Sequence, residues 1–188
     1  PKNAAEWGYT PNLAQLFADA AAYGKANNVP ASGSDKKRVY LTIIDGQKDF
    51  CFPKGTLYVA GRSGTGAIDD SARTASFIYR NAAYITDIRT TLDTHFAFQI
   101  FFNSFWQTQD GEPLAEHTMI ELSADGRRLV NFNVGANGKQ ILHEDVTPNP
   151  AICRLIGQSY SWLKEYVKHY CGELARTGKY TLYLWPYH

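Results

Sequence analysis

Three short stretches of the chain hold side chains able to do chemistry, and each follows an apolar run. Asp45 comes after Val39, Leu41, Ile43 and Ile44; Asp93 and His95 come after a run ending at Leu92; His188 follows Tyr180 to Leu184 and the turn Trp185-Pro186-Tyr187. A carboxylate at the end of a buried strand is partly desolvated, which suits it to exchange protons near neutrality. Asp45 can equally be a cap on the next turn. Carboxylate and imidazole in Asp93-Thr94-His95 can converge on one divalent cation such as Zn²⁺, Mn²⁺ or Fe²⁺. What links the three stretches is their place just past apolar runs, since open parallel sheets bind ligands outside the carboxyl ends of their strands. Phe50 and Trp106 lie near these stretches in sequence and read equally as pocket walls or as core.

Positioning these groups needs strands with crossovers between them. Residues 38 to 44 form a continuous apolar run, as a buried strand does. A helix is expected over about 68 to 83, with Asp69, Asp70 and Ser71 at its start, where carboxylates suit the helix dipole. Residues 84 to 92 give the second strand, so 38 to 92 spell the strand-helix-strand unit of a parallel sheet. Thr10-Pro11 opens an earlier helix, with Thr10 as cap and Gly24 as its stop. Asn149-Pro150 opens the longest helical pattern, with Ile152, Leu155, Ile156, Leu163, Tyr166, Val167 and Tyr170 at 3.6-residue spacing up to Gly178. Tyr180 to Leu184 gives a third strand, expected beside the first two and parallel to them. Residues 107 to 147, with Gly111, Gly126, Gly135 and Gly138, interrupt this rhythm as an insertion or lid with a small hairpin.

Composition limits the function classes. A chain of 188 residues, 44% hydrophobic and 20% charged, fits one domain, 1–188, with a sizeable core. Net charge is +1, and no basic cluster exceeds Lys36-Lys37-Arg38, which argues against a nucleic-acid partner. No run reaches the roughly 18 apolar residues of a membrane span. Cys51, Cys153 and Cys171 are odd in number and far apart, neither a disulfide framework nor a metal motif. A cytoplasmic protein is the expectation.

Together the motifs carry a family resemblance. Asp45-Gly46-Gln47-Lys48-Asp49-Phe50-Cys51, followed by Gly55-Thr56-Leu57 and Val59-Ala60-Gly61, resembles the opening signature of the isochorismatase-like cysteine hydrolases. Thr91-Leu92-Asp93-Thr94-His95 resembles their TxDxH segment, and Trp185-Pro186-Tyr187-His188 the WPxH of the nicotinamidase branch. The resemblance implies a three-layer α/β/α fold with a mostly parallel sheet. It implies Asp45 as the catalytic base that deprotonates a thiol, and Asp93, His95 and His188 as ligands of a divalent metal, zinc first with manganese or iron as alternatives. Phe50 and Trp106 fall where such pockets have aromatic residues. The implied substrate is a small-molecule amide; the oligomeric state, including a homo-oligomer, is left open.

One departure matters. In that family the catalytic lysine and the nucleophilic cysteine follow the WPxH segment, so the resemblance places both beyond His188, in a C-terminal part missing from this chain. Cys51 stands where the family often has a cysteine of no catalytic role, and Cys153 and Cys171 fall on the long helical pattern as packing residues. Two other readings compete: a hydrolase of the same fold acting on an isochorismate-type vinyl ether or a carbamoyl amide, and a non-catalytic small-molecule-binding homologue.

Overall fold

The structure, a computed structural model, describes residues 6–188. The protein is mixed α/β, and it divides into two compact units, one ending at Thr94 and the other beginning at His95.

In the first unit, helix α1 (Leu13–Ala26) precedes strand β1 (Tyr40–Ile43), a short helix α2 (Lys48–Cys51), helix α3 (Gly66–Asn81) and strand β2 (Asp87–Thr90). β1 and β2 pair in parallel, with Tyr40 opposite Asp87 and Ile43 opposite Thr90, and α3 is the crossover between them. The expected strand-helix-strand unit is therefore present, with shorter strands than the apolar runs. The first helix starts later than expected. Its cap is Asn12, whose side chain accepts the Gln15 N–H at 3.2 Å, so Thr10 lies outside the helix. The helix passes through Gly24 and ends at Ala26 because Asn27 caps it, donating its side-chain N–H to the Tyr23 carbonyl at 2.9 Å. None of the described residues in this unit, Glu6 to Thr94, is buried.

The second unit holds β3 (Trp106–Thr108), β4 (Met119–Leu122), β5 (Leu129–Gly135), β6 (Gly138–His143), β7 (Val146–Pro148), α4 (Ile152–Ile156), α5 (Tyr160–Arg176) and β8 (Leu182–Tyr183). β3 pairs antiparallel with β7, and a four-stranded antiparallel sheet runs β6-β5-β4-β8. Residues 107 to 147 thus hold most of a sheet, more than the small hairpin expected. Gly138, at φ +89°, closes the β5–β6 turn opposite Gly135, a backbone conformation that a β-carbon disfavours.

Two expectations fail here. Residues 180 to 184 do not join β1 and β2. They hold β8, which runs antiparallel to β4, with Met119 opposite Tyr183. The physical reason is the chain reversal at Gly178 (φ +64°), which returns the strand along α5 toward the β4 surface that α5 packs against. The long helix is also broken. Gly157 takes a left-handed conformation (φ +69°) and ends α4, and Ser159 caps α5 by accepting the Trp162 N–H at 3.2 Å.

Burial follows from the α5 periodicity. Leu163, Val167 and Cys171, four residues apart, are its buried residues. They pack with Ile120 of β4, Leu129 of β5, Val146 of β7, Leu182 of β8, and Phe105, Trp106 and Leu184. Asn131, fully buried in β5, donates to the Thr118 hydroxyl at 2.9 Å and the Met119 carbonyl at 3.0 Å. Among the described residues no helix is long and apolar enough to cross a membrane.

Candidate functional site

Asp45 follows β1 immediately after Ile44 and has φ +52°. Asp and Asn are among the few L-residues that visit this region, and non-glycine residues held there concentrate at functional sites. A neighbouring side chain braces it. Thr91, just past β2, accepts the Asp45 N–H at 3.1 Å and donates its hydroxyl to Asp45 Oδ1 at 3.0 Å. The half-buried Asp45 lines an open groove of about 880 Å³ within the first unit, together with Leu41, Ile43, Cys51, Val59 and Ile78.

The rest of the first motif is largely architectural. The Asp49 carboxylate accepts the Thr56 hydroxyl at 3.2 Å. Gly55 sits so close to the Asp49 carbonyl that a β-carbon there would stand 2.2 Å from its oxygen, so no other residue fits. Gln47 does something the motif did not disclose. Its Oε1 accepts the Asp93 N–H at 2.7 Å, and its Nε2 points to the Asp93 carbonyl at 3.5 Å. Phe50 is half-buried in α2.

The stretch from Asp93 to His95 leaves β2 without regular structure. One ligand atom from each of Asp93, His95 and His188 lies within 4.8 Å of the other two, and all three residues are half-buried. Asp93 owes its place to the chain, two residues before His95. His188 comes to His95 through the second unit. Leu184 hydrogen-bonds to Thr118, Trp185 donates its N–H to the Phe101 carbonyl at 2.8 Å, and Trp185 bridges Phe102 in parallel. The imidazoles of His95 and His188 meet edge to face with centroids 5.3 Å apart. Phe101 and Phe102 hold the His95 ring at 4.9 and 5.7 Å, and Phe102, fully buried, also touches the ring of His188 at 5.6 Å.

The tautomer of His188 is set by its neighbour. Its Nδ1 lies 2.7 Å from the Pro186 carbonyl oxygen, which can only accept, so Nδ1 carries the proton and Nε2 is the nitrogen able to ligate. Two imidazoles and one carboxylate suit Zn²⁺, Mn²⁺ or Fe²⁺. The set fits a divalent cation in composition, with its donor atoms grouped within 4.8 Å of one another.

Trp106, named above as pocket wall or core, is core. It is 1% exposed, and its Nε1–H donates to the Ile100 carbonyl at 2.7 Å. Cys171 is buried on α5, which pushes its thiol up to about 12. Cys153 packs against the same core. Cys51 is half-buried at the end of α2 and lines the Asp45 groove. The residues that sequence reasoning missed are Thr91 and Gln47. The only signal was their place in the motifs, because what they do depends on two strand ends lying side by side. No family model, curated protein or solved structure matches the chain.

Proposed function

We propose that the protein is a nicotinamidase-like cysteine hydrolase that cleaves the C–N bond of a small amide, with Asp45 as base and Asp93, His95 and His188 as ligands of a divalent metal, zinc first. The observation that carries this reading is the grouping of one carboxylate and two imidazoles within 4.8 Å. A metal-free hydrolase of the same fold, acting on a vinyl ether or a carbamoyl amide, has no use for such a set. The β1-α3-β2 crossover is the part of the structure in keeping with a three-layer α/β/α fold, while the other strand pairs run antiparallel.

The chemistry follows from the groups. A thiol gives its proton to the Asp45 carboxylate and attacks the amide carbonyl; the resulting acyl-thioester forms as the C–N bond breaks. Asp45 returns the proton to the departing nitrogen, which leaves as ammonia, and water then releases the acid. The Thr91 hydroxyl holds the carboxylate through these transfers. A bound metal would supply polarisation of a ring nitrogen or an ordered water. Cys171 is held protonated by burial and Cys153 packs against the core, so neither is assigned as the nucleophilic thiol.

The test is zinc titration of the metal-stripped protein against a chromophoric chelator. One equivalent is expected to bind, and His188→Ala is expected to weaken it by more than ~10²-fold, since even the partners behind metal ligands are worth 10- to 100-fold. A wild-type protein that takes up no zinc, or a His188→Ala variant that binds as tightly, sinks the metal reading.

A further inference from the structure

The ends of β1 and β2 hold one another by a reciprocal pair of side chains. From the β1 side, Gln47 reaches across to the Asp93 backbone, with its Oε1 on the N–H at 2.7 Å and its Nε2 near the carbonyl at 3.5 Å. From the β2 side, Thr91 reaches back to Asp45, accepting its N–H at 3.1 Å and donating to its carboxylate at 3.0 Å. Register explains the exchange: Ile43 stands opposite Thr90, so the residues just past each strand face the other strand's loop. The Thr91 N–H still donates to the Ile43 carbonyl at 3.0 Å, and beyond it the chain leaves regular structure.

We infer that Gln47 is a positioning residue for the metal ligand Asp93. It clamps the Asp93 peptide from the end of β1, and it sets the affinity and geometry of the metal site without touching the metal. This rests on the metal reading above. The physical basis is that fixing a peptide plane fixes the direction of its side chain, and a carboxylate held in its ligating direction loses less freedom on binding. The 2.7 Å bond is the stronger of the two, because 3.5 Å is at the limit of a useful hydrogen bond. The acceptor Oε1 is thus the working atom.

Two variants separate the parts. Gln47→Met keeps the length and apolar bulk of the side chain and removes both bonds. Gln47→Glu keeps the acceptor and removes the donor. Each is stripped of metal and checked for folding by circular dichroism. Zinc affinity is then measured by chelator competition, and the ligand-field spectrum is recorded with Co²⁺ in place of zinc. Gln47→Met is expected to bind zinc about 10- to 100-fold more weakly, with a shifted cobalt spectrum. Gln47→Glu is expected to match the wild-type spectrum and affinity within a few-fold. Should Gln47→Met be unfolded, Gln47→Glu still decides, since a cobalt spectrum unlike wild type overturns the proposal. Wild-type protein that binds zinc while Gln47→Met binds as tightly, with an unchanged spectrum, overturns this inference alone. Wild-type protein that binds no zinc overturns the metal reading and this inference with it.

Discussion

Asp45→Asn is expected to lower ammonia release from nicotinamide by ~10²–10⁴-fold while leaving folding nearly intact, the usual worth of a positioned general base. The substitution is conservative in every respect except the one tested. Asn tolerates a φ of +52° as Asp does, and its side-chain oxygen can still accept the Thr91 hydroxyl, which lies 3.0 Å from the carboxylate. What is lost is an atom that can take a proton from a thiol. The comparison is made in protein that turns nicotinamide over, and near wild-type release by Asp45→Asn rejects the assignment. Cys51 is the first cysteine to test as the attacking thiol, since it lines the same groove as Asp45, and ammonia release that survives Cys51→Ala would exclude it.

Trp106→Ala is expected to destabilise the second unit by about 3–5 kcal/mol, the range for emptying a buried aromatic site. Trp106 is 1% exposed and packs its ring against Phe105 with centroids 5.4 Å apart. Its removal also leaves the Ile100 carbonyl without the indole N–H that donates to it at 2.7 Å, which adds to the cost. Urea unfolding followed by far-ultraviolet circular dichroism, to which α5 contributes the longest helix, reads the loss. A variant that keeps its unfolding midpoint and changes only ligand binding would make Trp106 a pocket wall after all.

Periodicity made the first unit's strands and its crossover helix legible, because an apolar run between turn residues and an amphipathic stretch of 16 residues each have few alternative readings. The cap at Asn12 and the break at Gly157 were not legible for a shared reason. Thr10-Pro11 is a good start signal, and the apolar spacing runs straight through Gly157, so local patterning pointed the wrong way at both places. The strand at Leu182–Tyr183 was visible as a strand, but its partner was not, since two residues of apolar sequence do not say which sheet receives them. At the candidate site, Asp93 and His95 share a short stretch, and their closeness follows from chain geometry. The arrival of His188 beside His95 depends on Phe101 and Phe102, on the Trp185 bridge and on the Pro186 carbonyl, none of which a spacing encodes. Gln47 was inside the quoted motif, but its role required knowing that Asp93 would lie within reach of its amide.

The uneven distribution of buried side chains has a kinetic consequence. Among the described residues, every buried one lies beyond Thr94. Amide protons that are shielded only by half-exposed strands exchange through small openings, whereas those beneath a packed core wait for the core itself to open. Deuterium is therefore expected to enter β1, α3 and β2 well before β4, β5 and α5. A dilute protease is expected to leave a resistant fragment beginning near His95.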